Sequence, residues 1–213
     1  MRIKSITFFG IIAMIIFSGF QLHKSKINFK QTSAPLENGD IIFIVNPSGQ
    51  GKAIQLATKS KYTHVGIVFI ENNKPYVYHA VEPVTKSTLK EFVNMSADGT
   101  YAVKRLKDKT PLTASAIKQM KDEATQKLGI HYDQGFNWGD DEFYCSEYVW
   151  KLYNHAIKLN IGEIKPLKSF DLSHPKVKEI LKQRYGNDIP YNENMISPGD
   201  MFESKFLDLV TQK

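Results

Sequence analysis

The feature that most constrains the fold is a pair of apolar, β-branched segments joined by a short polar turn. The first segment spans residues 64–70, and the second spans residues 76–81. Segments of this type, separated by a cluster of turn-forming residues, predict an antiparallel β-hairpin. Asn72 and Asn73 lie at the centre of that cluster and tolerate the positive φ angles of a two-residue type I′ turn. The sequence therefore predicts a turn on these two asparagines.

The length of this turn decides which side chains of the hairpin share a face. With a two-residue turn, Gly66 lies opposite His79, and His64 becomes a diagonal neighbour of His79 on the same face. The two imidazoles would then be within hydrogen-bonding reach across the small glycine. If Pro75 lengthens the turn by one residue, Glu82 faces His64 instead. The structural alternative is that His79 is an ordinary hydrogen-bonded residue of the strand.

The only cysteine of the chain, Cys145, stands at the predicted start of a helix. Apolar residues recur after it at helical spacing, namely Val149, Trp150, Leu152, Tyr153, Ala156 and Ile157. The free N–H groups and the dipole of a first helical turn stabilise a thiolate. Cys145 is therefore a candidate nucleophile, with His64 as its general base and either His79 or Glu82 as the group that orients the base. The alternative is that Cys145 is a small buried apolar residue.

The N-terminus predicts export. Arg2 and Lys4 precede an apolar run over residues 6–17, which is typical of a secretory signal. We expect residues 1–22 to be a signal peptide or an uncleaved membrane anchor, residues 23–37 a linker and residues 38–213 the catalytic domain. The expected location is the periplasm or the cell envelope. There a lone cysteine has no internal disulfide partner, so its persistence as a free thiol favours a catalytic role.

Composition narrows the classes of partner. The net charge of +6 comes from scattered lysines, which favours association with an anionic membrane surface. No zinc-finger, helix-turn-helix or RNA-binding signature is present in the sequence, so we expect no nucleic-acid partner. Cysteine and histidine residues do not cluster with ligand spacing, so we expect no metal and no other cofactor.

The remaining periodicity predicts an α+β domain, because helices and a small antiparallel sheet are segregated along the chain. Further strands are expected at residues 41–45 and 100–106, and helices at residues 52–61, 113–128, 175–184 and 204–210.

Five short strings, in this order, resemble the circularly permuted papain-like enzymes of the NlpC superfamily, in particular the YiiX/YaeF-like group. They are Gly39-Asp40-Ile41-Ile42-Phe43, Tyr62-Thr63-His64-Val65-Gly66-Ile67-Val68, Pro75-Tyr76-Val77-Tyr78-His79-Ala80-Val81, Tyr144-Cys145-Ser146-Glu147, and Ile196-Ser197-Pro198-Gly199-Asp200 followed by Ser204. The resemblance covers about residues 38 to 208. Lecithin:retinol acyltransferase-like proteins are more distant relatives. The resemblance implies a permuted papain-like fold, in which a small sheet or partial barrel packs against helices.

The resemblance also implies a cysteine amidase, peptidase or acyl-transfer site. Cys145 would be the nucleophile, His64 the base and His79 the orienting group, although the YiiX-like group is expected to carry a glutamate at the last position. The acyl substrate would be a peptide amide, such as one from the cell wall, or a lipid ester or amide. One rival function is a non-catalytic envelope-binding module of the same fold.

A more remote rival lies in the string Asn46-Pro47-Ser48-Gly49-Gln50-Gly51-Lys52, which is similar to the phosphate-binding loop of diacylglycerol-kinase-like enzymes. Small residues and backbone amides can hold phosphates. The string lacks the ending of a Walker loop, however, and ordinary turn chemistry also explains it.

Overall fold

A computed structural model describes residues 34–213 of the chain. The predicted signal or anchor at residues 1–22, and residues 23–33 of the predicted linker, lie outside this range. Within residues 34–213, no helix combines the length and the apolar character that a membrane crossing requires.

A six-stranded antiparallel sheet forms the centre of the described part of the chain. Its strands are β1 (Ile41–Ile44), β2 (His64–Glu71), β3 (Lys74–His79), β4 (Thr85–Thr88), β5 (Tyr101–Leu106) and β8 (Leu207–Gln212). They lie side by side in the order β4-β3-β2-β1-β5-β8. Two further short strands, β6 (Lys165–Pro166) and β7 (Asn194–Met195), pair with each other.

The helices are α1 (Gly49–Thr58), α2 (Leu89–Val93), α3 (Ala114–Gln126), α4 (Cys145–Ile157), α5 (Pro175–Tyr185) and α6 (Pro198–Phe202), with a 3₁₀ turn at Leu167–Ser169. Helix α4 packs on the sheet at β2 and also contacts α3, whereas α1 contacts α5. Most of the apolar face of α4 is buried, including Val149, Leu152 and Tyr153. The predicted α+β class is confirmed.

The alternation of side chains along the strands divides the core into two clusters. Ile41, Phe43 and Ile67 face the larger cluster, which includes α4. Ile42 and Val68 face a smaller cluster, which Phe92 of α2 and its neighbours cover. Because consecutive strand residues point to opposite faces, both faces of these central strands are buried.

The helix predicted at residues 204–210 is wrong. The chain forms the edge strand β8 there, and Leu207 pairs with Leu106 of β5. Leu207 is buried, whereas Asp208 and Leu209 are exposed. The apolar pattern is too short for a buried helical face, and the open edge of β5 supplies backbone partners that a strand can use.

Candidate active site

The hairpin turn is the two-residue turn that the sequence predicts. Asn72 and Asn73 have φ angles of 48° and 61°, and Glu71 lies opposite Lys74. His64 begins β2 and His79 ends β3, so the register brings the two histidines to the same end of the hairpin.

The two imidazoles are in direct contact. Nε2 of His64 lies 3.0 Å from Nδ1 of His79. Gly66 leaves room for this contact, because a Cβ atom there would lie 2.5 Å from Cγ1 of Val77 and 3.1 Å from Cβ of His79. A larger residue at position 66 would therefore displace the strand that carries His79.

The residues around the histidine pair shield both rings from most of the solvent and keep them neutral. Phe92 stacks on His64 and meets His79 edge to face, and Nε2 of His79 lies 3.0 Å from Oγ of Ser87. Burial lowers the pKa of His79 to about 4, and burial together with the neighbouring His79 lowers the pKa of His64 well below its usual value. Both rings are therefore neutral near neutral pH.

Glu82, the alternative orienting group, is engaged elsewhere. Its carboxylate accepts a hydrogen bond from the backbone N–H of Tyr132 at 2.9 Å and lies 2.7 Å from Nδ1 of His131. Glu82 therefore fixes the loop before α4, while the ring of His79 is the one in contact with His64.

Cys145 is the first residue of α4 and is buried. The N-cap residue, Tyr144, makes no side-chain capping hydrogen bond, so it does not occupy the free N–H groups of the first turn. The backbone groups of Val65 and Ser146 act on the thiol and lower its pKa, against the effect of burial. Val65 directly follows His64, so the thiol lies near the end of β2 that carries His64, while the ring of His64 packs on Phe92 of the smaller cluster.

The ionisation of Cys145 differs from the sequence-based expectation. Burial raises the pKa of the thiol to about 11, and the surrounding N–H groups only partly oppose that rise. Burial of the thiol therefore opposes the thiolate that the start of α4 is expected to stabilise. With its pKa at about 11, Cys145 is a neutral thiol near neutral pH.

Two adjoining cavities open at these residues. Cys145 lines one cavity and His64 lines the other, while Gln50, Ile54 and Tyr132 border both. Nε2 of Gln50 donates to the hydroxyl of Tyr132 at 2.9 Å. Burial, and to a smaller extent the nearby Cys145, raise the pKa of Tyr132 well above its usual value, so its hydroxyl keeps its proton.

Sequence reasoning missed Gln50, Tyr132 and the cavity residue Arg184. The string around Gln50 indicated only a similarity to a phosphate-binding loop. In the structure its groups cap α1 instead, because Oγ of Ser48 accepts from the N–H of Gly51. No local pattern marks Tyr132 or Arg184, because their proximity to the site depends on how distant segments pack.

Known proteins share this fold and these segments. The sequence model of the permuted papain-like amidase enzymes (YaeF/YiiX, C92 family) matches residues 35–211. The chain belongs to this family. Membership in this permuted papain-like amidase family supports a cysteine hydrolase in general, and the predicted permuted papain-like fold is confirmed.

Two relatives from the family illustrate the extent of the similarity. The uncharacterized protein YiiX of Escherichia coli K12 is 42% identical over 177 residues, which cover 83% of this chain and 87% of the relative. A crystal structure of YiiX from Escherichia coli O157:H7 superposes with a TM-score of 0.79 at 42% identity, over 83% of this chain and 97% of that one.

That crystal structure is described as a metalloprotein. In this chain, residues 34–213 contain no group of three or more His, Cys, Asp or Glu side chains placed to hold a metal ion. The described residues therefore do not fit a metal centre.

Proposed function

We propose that this chain is a cysteine hydrolase that cleaves an amide or ester bond through an acyl-thioester on Cys145. The observation that supports it most directly is the meeting of three features at one end of β2. These are the buried thiol near the backbone of Val65, the preceding residue His64, and the contact of His64 with His79. A nucleophile, a base and a group that orients the base are the parts that such chemistry requires.

In the first half-reaction, Sγ of Cys145 attacks the carbonyl carbon and its proton passes to His64. Nε2 of His64 is occupied by His79, so Nδ1 is the nitrogen left to accept that proton. The C–N or C–O bond then breaks, and His64 returns the proton to the leaving group. Because thiol and imidazole both start neutral, proton transfer accompanies the attack and does not precede it.

Donors for the developing oxyanion lie beside the thiol. They are the backbone N–H groups at the start of α4 and the hydroxyl of Tyr132, which accepts a hydrogen bond from Gln50 and still has its own proton to donate. In the second half-reaction, water attacks the thioester and gives a proton to His64. The S–C bond breaks, Cys145 regains its proton, and the carboxylic acid leaves.

Detection of the thioester tests the proposal. The purified protein is mixed with 4-nitrophenyl acetate, quenched in acid and analysed by intact and peptide mass spectrometry. We expect an acetyl group on the peptide that contains Cys145, and Cys145→Ala should lack it. His64→Ala should acquire it at least about 100-fold more slowly, which is the scale of general base catalysis.

His155→Ala is the matched control, because His155 lies late in α4 and pairs with Glu123, away from the site. Cys145 of this variant should acquire the acetyl group at the same rate as Cys145 of the unmodified protein. An unlabelled Cys145, or equal labelling of the His64→Ala protein, would contradict the proposal and favour the non-catalytic binding module.

We further propose that the enzyme acts outside the cytoplasm and associates with the envelope surface. The basic residues and apolar run within residues 1–22, and the net charge of +6, support this placement. Fractionation of cells that produce the full chain should recover it with the periplasm or membranes. Recovery with cytosolic proteins would contradict the proposed location but not the proposed reaction at Cys145.

A further inference from the structure

Three hydrogen-bonded side chains connect the end of α5 to the surroundings of Cys145. Nη2 of Arg184 lies 2.7 Å from Oε1 of Gln50, and Nε2 of Gln50 lies 2.9 Å from the hydroxyl oxygen of Tyr132. Gln50 belongs to the first turn of α1, Arg184 to the last turn of α5, and Tyr132 to the segment before α4. The packing of three distant segments therefore creates this connection.

The chemistry of Arg184 fixes the direction of both hydrogen bonds. A guanidinium carries five N–H donors and no acceptor, so only the oxygen of the Gln50 amide can face it. The amide nitrogen must then face Tyr132, where it donates to the hydroxyl oxygen. Because that oxygen accepts from Gln50, the hydroxyl hydrogen of Tyr132 is directed elsewhere. Without Arg184, the amide is free to turn over, and its oxygen would then accept this hydrogen.

The backbone holds Tyr132 next to the nucleophile. Tyr132 pairs with Phe143 in an isolated β-bridge, and Phe143 lies two residues before Cys145. The backbone N–H of Tyr132 also donates to Oε2 of Glu82 at 2.9 Å. Since burial raises the pKa of Tyr132 well above its usual value, the hydroxyl keeps its hydrogen near neutral pH. Tyr132 is thus a neutral donor, fixed beside the start of α4.

Arg184 is itself held in one position. Its guanidinium lies 4.2 Å from the centre of the Phe136 ring. Phe136 has a left-handed φ angle of 50°, a conformation that is costly for a residue other than glycine and that clusters at functional sites. Within residues 34–213, no carboxylate lies within ion-pair distance of Arg184. Its charge therefore remains available to polarise the amide of Gln50.

We infer that Arg184 is a positioning residue, which acts through Gln50 to leave the hydroxyl hydrogen of Tyr132 for the substrate. That hydrogen binds the carbonyl oxygen of the substrate as negative charge develops on it. The inference rests on the proposed reaction at Cys145. It assigns to Arg184 an effect on kcat more than on KM, because the hydrogen bond from Tyr132 strengthens as the carbonyl oxygen becomes an oxyanion.

Substitution of Gln50 tests the direction of the hydrogen bond. In Gln50→Glu, the introduced carboxylate still accepts from Arg184 but has no hydrogen to give to Tyr132. The tyrosine must then donate to the carboxylate, so we expect kcat on 4-nitrophenyl acetate to fall by about 100-fold, as for the loss of one oxyanion donor. In Gln50→Met, the hydroxyl of Tyr132 has no partner at position 50 and stays free to donate to the substrate. We expect this variant to retain a higher kcat than Gln50→Glu.

Substitution of Arg184 tests the positioning role itself. Arg184→Met should lower kcat by about tenfold, the scale of one hydrogen bond to a charged group. Arg184→Lys should recover part of the loss, because an ammonium group also only donates. In a Tyr132→Phe background, Arg184→Met should have little further effect, which a double-mutant cycle measures. Lys182→Met is the matched control, because Lys182 is exposed on the same helix, and its kcat should equal that of the unmodified protein.

Urea unfolding of the same variants separates positioning from a merely structural role. Gln50→Glu should be at least as stable as Gln50→Met, because only the former keeps a partner for Arg184. The proposed role therefore predicts that the more stable of these two variants is the less active one. A kcat that follows stability, or a full effect of Arg184→Met in the Tyr132→Phe background, would overturn the inference. Acetylation of Cys145 in the unmodified protein would then still support the cysteine hydrolase.

Discussion

Nε2 of His64 and Nδ1 of His79 face each other at 3.0 Å, and this contact fixes the tautomers of both rings in the proposed mechanism. If Nδ1 of His64 accepts the thiol proton, its Nε2 carries hydrogen and donates to His79. Nδ1 of His79 must then be an acceptor, so its Nε2 carries hydrogen and donates to Oγ of Ser87, 3.0 Å away. A neutral imidazole can thus orient the base where a carboxylate would serve in other enzymes.

Substitution of His79 tests this orienting role. His79→Ala should lower kcat by about 100-fold with little change in KM, because His64 loses the acceptor that fixes its ring. His79→Gln should recover part of the loss, since an amide oxygen can accept from Nε2 of His64. Steady-state kinetics on a soluble ester measures both, and equal losses in the two variants would argue against orientation through this hydrogen bond.

The buried histidines should make stability fall in mild acid. The pKa of His79 falls from 6.5 in the unfolded chain to about 4 in the folded protein, so between these values the unfolded chain binds more protons. The neutral ring therefore contributes about 3 kcal/mol to the free energy of unfolding. This contribution is complete above pH 6.5 and is lost as the pH falls through about 4. The lowered pKa of His64 acts in the same direction.

Urea unfolding at about pH 7 and about pH 4.5 measures this dependence. His79→Gln should show a smaller difference in the free energy of unfolding between the two pH values than the unmodified protein does. Parallel pH dependence in the two proteins would show that His79 is not the source.

Gly66 should be intolerant of even one methyl group. A Cβ atom would lie 2.5 Å from Val77 and 3.1 Å from the carbonyl oxygen of Tyr78, so Gly66→Ala should destabilise the fold by about 1–3 kcal/mol. It should also impair acylation of Cys145 by shifting His79. Gly139→Ala is the matched control, because no atom lies within 4 Å of a Cβ at that position, and similar melting temperatures for the two variants would contradict this account.

The sequence was sufficient for the parts of the site that local rules govern. Strand periodicity and the asparagine turn predict the register that joins His64 to His79, and helical spacing places Cys145 at the start of α4. These features depend on φ preferences and on side-chain alternation, which neighbouring residues decide.

What the sequence did not predict depends on packing between distant segments. The pKa of Cys145 follows from how completely β2 and its neighbours bury the thiol, a quantity that no local motif carries. Leu207 pairs with Leu106, which lies 101 residues earlier in the chain, and Arg184 contacts Gln50, which lies 134 residues earlier. Such tertiary contacts override local propensity.

Tyr132 should contribute to stabilisation of the oxyanion. Its hydroxyl accepts from Gln50 and lies near Cys145, so Tyr132→Phe removes a donor while keeping the ring. We expect kcat to fall by about 100-fold, as for the loss of one oxyanion donor. Tyr191→Phe is the control, because Tyr191 is half-exposed and does not line the cavity at Cys145. An unchanged kcat in Tyr132→Phe would leave only the backbone N–H groups in this role.

A buried ion pair should hold the start of α4 to the loop that precedes it. Nζ of Lys151 lies 2.9 Å from Oε1 of Glu147, and their side chains are 6% and 0% exposed. Glu147 also accepts from the N–H of Gly139 at 3.2 Å, and Lys151 donates to the carbonyl of the same residue. The pair thus connects the first turns of the cysteine helix to residue 139.

Lys151→Met should leave the carboxyl group of Glu147 buried without its cation, whereas Glu147→Gln leaves Lys151 paired with Asp140, 2.8 Å away. Lys151→Met should therefore lower the free energy of unfolding by about 3–5 kcal/mol and Glu147→Gln by less, and the double variant should recover part of the loss caused by Lys151→Met. Urea unfolding of all four proteins gives the coupling energy directly. Burial raises the pKa of Glu147 to about 7, so the coupling should weaken as the pH falls below that value and the carboxyl group becomes protonated. Additive effects at every pH would mean that the two side chains stabilise α4 independently.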